Sequence, residues 1–153
     1  MGKAKVAAPE MERLQTISVT GEVLLSDSQV ESIVQYAEYW DVEGVYIACQ
    51  HPDRSYLVEH PVWMSNLLAL VAGIKRQQKK VVVGYSNHQM LCLALAKCDA
   101  IASGNFLNVR SFQPARFRKP VEGEISRRST WYYCPQALSE YKLHYLDYAQ
   151  RGK

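Results

Sequence analysis

The chain has 153 residues, of which 48% are hydrophobic and 22% charged, and its formal net charge is +3. This balance is typical of one folded domain with a single core and excludes an intrinsically disordered chain. The mild positive charge is compatible with a polyanionic partner but lies far below the density that makes nucleic-acid binding the default interpretation. The four cysteines form no Cys-x-x-Cys pair, there is no signal peptide, and no run of about 20 apolar residues occurs. We therefore expect a reduced, cytoplasmic protein without a membrane span.

The chain is predicted to begin with a loose leader over residues 1–13, which carry no strand pattern. A β-branched strand candidate follows and is broken at Gly21. Ser26 or Asp27 is a suitable N-cap for a helix whose apolar residues recur at three- and four-residue steps, the spacing of one buried face. We expect this helix to end near Asp41.

The middle of the chain is predicted to alternate strands and helices. Three short apolar runs are predicted to be strands, namely EGVYIACQ, KVVVGY and DAIASG, and the second is apolar throughout, as in a strand covered on both faces. A long helix is expected from Pro61. Ser86 and Gln89 match a capping box that begins a further helix over 88–97. Residues 14–106 therefore predict an α/β fold of parallel βαβ units.

About four strands are predicted, whereas a complete (β/α)8 barrel needs roughly 250 residues. The chain is thus expected to be either a compact three-layer sheet or the C-terminal part of a TIM-type barrel whose first half is missing. The sequence after residue 106 favours the second alternative, in which the chain is a fragment. After Asn105 the alternation stops, and residues 107–134 are predicted to be a basic and aromatic loop region. A C-terminal helix begun by Pro135 is predicted over 135–153.

Ligands of parallel α/β sheets bind beyond the carboxyl ends of the strands. The KVVVGY strand ends at this edge, and the loop after it leads into the N-terminus of a helix. A helix N-terminus favours the binding of an anion or of a polarised carbonyl. Side-chain amide and imidazole groups can also read the edge of a planar heterocycle. The alternative is that Ser86 and Asn87 only cap the helix and His88 is solvated. The candidate ligand-binding residues are Gly84, Ser86, Asn87, His88, Gln89, Ser103, Gly104 and Asn105.

Other chemistry is weakly indicated. Cys49 and His51 could be a thiolate and its base, but a cysteine at a buried strand end is usually an inert small hydrophobic residue. The four histidines form no HxH, HxxxH or HExxH pattern, and no metal or cofactor is expected. The chain also lacks the Walker, GxGxxG and GxSxG motifs.

The segment after residue 106 mixes arginines with aromatic residues, which suits contact with phosphates and stacking on bases. A solvated charged loop over a small aromatic cluster explains the same composition. The candidate phosphate contacts are Arg110, Arg127 and Arg128.

The segments CDAIASGNFLNVRSF and YYCPQALSEYKLHYLDYAQRGK resemble the C-terminal part of the tRNA-guanine transglycosylases and their relatives, which insert 7-deazaguanine bases into nucleic acid. The resemblance covers roughly residues 80–150. Asp99 matches the leading aspartate of a strand and Arg110 the arginine of the following loop, while Tyr141, Tyr145 and Leu146 match a helix pattern.

Two positions depart from that family's pattern. Ala102 stands where the family has its nucleophilic aspartate, and of the zinc-binding cysteines at most Cys134 is present. Neither covalent base exchange nor a zinc site is therefore carried over to this chain, and no catalytic residue is identified.

The resemblance implies part or a relative of a transglycosylase-like enzyme that acts on a guanine or 7-deazaguanine base in tRNA or DNA. Two alternatives remain open at this stage. One is a phosphate-binding TIM-barrel-type metabolic enzyme that uses the Gly84 and Gly104 loops. The other is a non-catalytic partner subunit whose exposed sheet edge pairs with another chain or with a missing half-barrel.

Overall fold

The computed structural model describes residues 10–52, 56–105, 109–117, 130–137 and 139–152. Residues 1–118 form one unit and residues 119–153 a second. The first unit contains the strands β1 (Leu14–Val19), β2 (Gly44–Cys49), β3 (Lys80–Gly84) and β4 (Ala100–Ile101), the helices α1 (Asp27–Ala37) and α2 (Pro61–Arg76), and the 3₁₀-helices Val23–Leu25, His88–Ala96 and Pro114–Phe117.

Each strand of the first unit pairs with its neighbour in sequence. The order is β1-β2-β3-β4, and all three pairings are parallel. The predicted parallel βαβ units are therefore confirmed. No helix of the described residues is both long and apolar enough to cross a membrane.

The core lies on one face of this sheet. Alternate strand side chains, among them Val45, Ile47 and Val83, belong to a single buried cluster with residues of both α-helices and of the His88–Ala96 helix. Because side chains of a strand alternate between faces, the intervening residues point to the opposite face. We call that opposite side the inner face; its members are Leu14, Thr16, Ser18, Gly44, Tyr46, Ala48, Lys80, Val82, Gly84 and Ala100, and Ala102 continues it beyond β4.

The helix α1 is shorter than predicted, since it ends at Ala37 and not near Asp41. The amides of Tyr39 and Trp40 donate to the carbonyls of Tyr36 and Ala37 at 3.2 Å. These bonds to the third preceding residue tighten the chain into turns and end the α-helical pattern. Ser26 is the N-cap residue, but its hydroxyl contacts that of Ser28 and bonds to no helix amide.

The helix after β3 is a 3₁₀-helix whose cap differs from the prediction. Its buried residues Met90, Leu93 and Ala96 recur every three positions, which is the repeat of a 3₁₀-helix. The predicted capping box with Ser86 is wrong. Asn87 is the N-cap, and its side-chain oxygen accepts the Gln89 amide at 2.9 Å.

The predicted leader is anchored at its end, while residues 1–9 lie outside the described residues. The Arg13 guanidinium donates to the Glu43 carboxylate at 2.6 Å, and Lys80 pairs with Glu12 at the same distance. Arg13 also contacts Asp41 at 3.5 Å. These ion pairs lie at the amino ends of the strands.

The second unit corrects the prediction for the C-terminal region. It contains β5 (Trp131–Cys134) paired antiparallel with β6 (Ser139–Lys142), followed by α3 (Leu143–Arg151). The predicted helix over 135–153 is therefore wrong in its first part, and residues 131–134 of the predicted loop form a strand. Aromatic residues favour strands, and Pro135 lies in the turn of the hairpin.

Candidate functional site

Two of the predicted ligand loops lie side by side at the carboxyl edge of the sheet. The Ser86 amide donates to the Ala102 carbonyl at 3.0 Å, and the Ala102 amide donates to the Val83 carbonyl at 2.8 Å. The loop after β3 and the loop that begins with Ser103 are thus joined directly, as the parallel pairing of β3 with β4 requires. Ser103 and Asn105 are exposed there, and Gly104 is half-buried.

The predicted polar side chains of the Gly84 loop are bonded within the protein. Ser86 is 1% exposed and donates to the Val83 carbonyl, and Asn87 is 2% exposed and donates to the Tyr56 carbonyl. Gln89 binds both the amide and the carbonyl of Val58, at 2.9 and 2.7 Å. These side chains fasten the 56–58 segment to the loop and have their main polar atoms satisfied.

His88 differs from its neighbours because it is exposed. Its ring lies 6.4 Å from that of Tyr56. Of the polar side chains predicted for this loop, His88 is the one that solvent reaches most readily.

Tyr46 is a site residue that sequence reasoning missed. It lies on the inner face, and the outer end of its ring covers Gly84, where a β-carbon would overlap the Tyr46 hydroxyl. Burial raises the pKa of Tyr46, and the neighbouring Tyr85 adds to the rise. Because glycine has no side chain, position 84 leaves room for the phenol hydroxyl of Tyr46 at the carboxyl edge of the sheet.

An aromatic cluster lies at the same edge. Tyr85 has a left-handed backbone with φ of 54°, and the pairing of β2 with β3 ends at the preceding residue, Gly84. Phe112 forms a bridge with Gln50 just beyond β2, and its ring is 5.1 Å from that of Tyr85. Phe117, which is 66% exposed, lies 5.8 Å from Phe112 and 6.4 Å from Tyr85. We call Tyr46, Tyr85, Phe112 and Phe117 the aromatic rim.

Two arginines accompany this rim. The Arg110 side chain donates to the Gly104 carbonyl at 2.7 Å, so the predicted phosphate contact and the predicted ligand loop are brought together. Burial raises the pKa of Tyr56, while the nearby Arg110 partly opposes that rise. Arg116 donates to the Ser111 carbonyl at 2.9 Å and is itself exposed. Arg127 and Arg128 lie outside the described residues.

The structure argues against chemistry at Cys49 and places Asp99 away from the candidate site. Cys49 is in the core, and burial raises the pKa of its thiol to about 12, so it is not a thiolate near neutral pH. Asp99 lies at the amino edge, where it accepts bonds from the Val81 amide at 2.6 Å and from Lys75 at 2.7 Å. Among the described residues, no group of three or more His, Cys, Asp or Glu side chains could hold a metal ion.

Tyr46 and Phe112 could have been found from two sequence signals. A single tyrosine interrupts the aliphatic run of β2, and Phe112 lies among arginines where the predicted alternation has stopped. Neither signal reveals that Phe112 returns to the end of β2, because the bridge between Gln50 and Phe112 joins residues far apart in the sequence. Comparisons with family models, with curated proteins and with solved structures find no match for this chain.

Proposed function

We propose that the carboxyl edge of the sheet binds a purine-type base of tRNA or DNA, as part or a relative of a transglycosylase-like enzyme that acts on guanine or 7-deazaguanine. The observation that carries this proposal is the aromatic rim with two arginines beside it. Exposed aromatic rings stack on bases, and each stacked base contributes about 1–3 kcal/mol. Arginine at the same edge suits the phosphate backbone.

The exposed ring of Phe117 is the stacking surface in this proposal, and the Tyr46 hydroxyl is the group that can donate to or accept from a base edge. His88 offers a second polar contact. The Gly84 loop serves as a scaffold for these groups, since Ser86, Asn87 and Gln89 are bonded within the protein.

We further propose that the sheet is part of a TIM-type barrel. Two observations support this architecture: the strands follow the sequential order β1-β2-β3-β4, and the helices of the core cluster cover a single face. A doubly wound sheet would have a non-sequential order and helices on both faces. In a barrel the inner face would line the interior, and the aromatic rim would lie at its mouth.

The metabolic alternative, a phosphate held by the Gly84 loop, is less favoured. Phosphate binding at a helix N-terminus needs free backbone amides. The Ser86 amide is bonded to the Ala102 carbonyl, and the Gln89 amide is bonded to the Asn87 side chain. These two amides of the loop are therefore engaged within the protein and are not free for an anion.

The test is fluorescence anisotropy with labelled tRNA and with single-stranded DNA at about 50 and 200 mM salt. Phe117→Ala should weaken binding about tenfold, and Arg116→Gln or Arg127→Ala/Arg128→Ala should weaken it and reduce its salt dependence. The matched controls are at the amino edge: Tyr39→Ala, whose ring is 83% exposed, and Lys97→Gln. Binding that is absent, or equally affected by rim and control variants, would overturn the proposal.

A further inference from the structure

Among the described residues, the inner face of the sheet is exposed mainly along its two edge strands. Thr16, Ser18 and Ala100 are exposed, and Leu14 is 44% exposed. In the central strands Ala48 and Gly84 are buried, and Tyr46 and Val82 are half-buried. The helices of the core cluster pack on the opposite face, so no helix of that cluster covers the inner face.

The sequence of the central strands does not match this exposure. A strand with one solvated face alternates apolar and polar residues, whereas a strand buried on both faces is apolar throughout. β3 begins with the exposed Lys80 but then has valine at 81, 82 and 83, and β2 from Val45 to Cys49 carries no charge on either face. These strands have the composition of a sheet whose inner face is buried by another element.

Both lateral edges of the first unit also expose large apolar side chains. Val34 lies on the side of α1 that packs against Gly73 of α2. Tyr36 follows two residues later, about 200° further around the helix axis, so it lies on the opposite side of α1. Its side chain there is 67% exposed. At the opposite edge, Cys92 contacts Met64 of α2 at 3.6 Å, and the adjacent Leu91 is 67% exposed. Each lateral edge of the first unit thus exposes a large side chain, Tyr36 at one edge and Leu91 at the other, where the next helix of a barrel would pack.

We propose that a second copy of this chain completes the barrel. The four described strands end in two different edges, β1 and β4, and a two-fold axis would place β4 of each copy beside β1 of the other. Such an arrangement is closed and satisfies both edges with one sequence. Two sets of four parallel strands give the eight at which a parallel barrel closes.

This inference rests on the barrel architecture proposed above, and it makes the candidate site a shared one. The carboxyl ends of all eight strands would surround one mouth. Each copy would contribute its own aromatic rim, and the two Tyr46 rings would face a common interior. The inner positions nearest the carboxyl edge include Ser18, Ala48 and Ala102, which are small and leave space for a ligand beneath that mouth, while the Tyr46 ring fills the space beside Gly84.

Sedimentation equilibrium of the full chain at about 10–100 µM should give twice the 17.4 kDa mass of one copy. Thr16→Lys/Ser18→Lys places two charges on the exposed inner face beside the β1 edge and should convert the dimer to a folded monomer. Ser65→Lys/Ala69→Lys adds the same charge to exposed positions of α2, which lies between α1 and the His88–Ala96 helix and away from both flanks, and this variant should remain dimeric. A wild-type monomer, or equal behaviour of the two variants, would overturn the proposal.

A complementation experiment tests whether β1 of one copy faces β4 of the other. Ala100→Glu/Ala102→Glu should also give a monomer, whose fold is checked by circular dichroism. Mixing it with Thr16→Lys/Ser18→Lys should restore a heterodimer, because the charges are opposite across one interface and the other interface is native. Mixing it with Ser65→Lys/Ala69→Lys should not give a heterodimer, and equal heterodimer formation in both mixtures would contradict the β1·β4 contact.

These measurements use no nucleic acid, so their failure is separable from that of the proposed function. A dimer that binds no nucleic acid would retain the barrel inference and reject the base-binding proposal. A monomer that binds nucleic acid through Phe117 would reject the second copy and retain base binding.

Discussion

The phenol of Tyr46 lies over Gly84, so closely that a β-carbon at position 84 would overlap its hydroxyl. Gly84→Ala should therefore destabilise the fold by about 1–3 kcal/mol through overpacking, as measured by urea unfolding. Tyr46→Ala removes the obstructing ring, and in that background the same substitution should cost much less. Equal costs in the two backgrounds would show that the ring is not the cause.

Asn87 holds two segments together, since it caps the 3₁₀-helix and donates to the Tyr56 carbonyl. Asn87→Ala should lower the free energy of unfolding by about 1–2 kcal/mol, because a buried cap and a buried hydrogen bond are lost. His88→Ala, next to it but exposed, is the control and should be nearly neutral. If the two variants are equally stable, the cap has no energetic role.

The Arg13–Glu43 pair should make stability depend on pH in the acid range. The Arg13 hydrogen bonds lower the pKa of Glu43 to about 2 from 4.5. A carboxylate with a lowered folded-state pKa contributes stability above its unfolded pKa, and this contribution is lost as pH falls from about 4.5 to 2. Glu43→Gln should therefore lower the melting temperature slightly at pH 7 and not at pH 2.

The Glu43 effect should be small and should shrink in high salt, because both partners are near the surface. Glu31→Gln, the same charge change on the outside of α1, is the matched control. A difference between wild type and Glu43→Gln that persists at pH 2 would contradict an ionic origin.

Cys49 should react with a thiol reagent only when the core opens. Its side chain is 4% exposed and burial raises its pKa to about 12, whereas Cys134 is half-buried. In native conditions we expect a fast phase that includes Cys134 and a slow phase that Cys49→Ala removes. A fast reaction of Cys49 would mean that β2 is not buried in solution.

The sequence predicts the parallel sheet well because its signals are local. The apolar runs of β2 and β3 and the proline at the start of α2 each report the conformation of a few neighbouring residues. The start of the C-terminal helix was misplaced, since Pro135 fits a helix start and a hairpin turn equally. The aromatic rim was missed as a unit because Phe112 reaches Tyr85 only through the folded path of the chain after β4.

The candidate loop illustrates the same limit. Ser86, Asn87 and Gln89 are polar residues beside a strand end. The same pattern occurs in ligand-binding sites and in loops whose polar side chains only bond to a neighbouring segment of the protein. The position of the 56–58 segment distinguishes a ligand site from a structural loop, because backbone carbonyls of this segment accept hydrogen bonds from the Asn87 and Gln89 side chains. Sequence spacing carries no information on that long-range contact.

The nearest-neighbour order of the strands has a consequence for how the chain folds. Each of the three parallel pairings joins strands separated by a connection that contains a helix, as in the pairing of Leu14 with Gly44 and of Gly44 with Lys80, and parallel pairings between residues so far apart in the sequence form slowly. We expect β2 and β3 to assemble with α2 first, followed by the edge strands. A chain built in this stepwise manner exposes its unfinished edges at every intermediate stage, and concentration during refolding should therefore govern its yield.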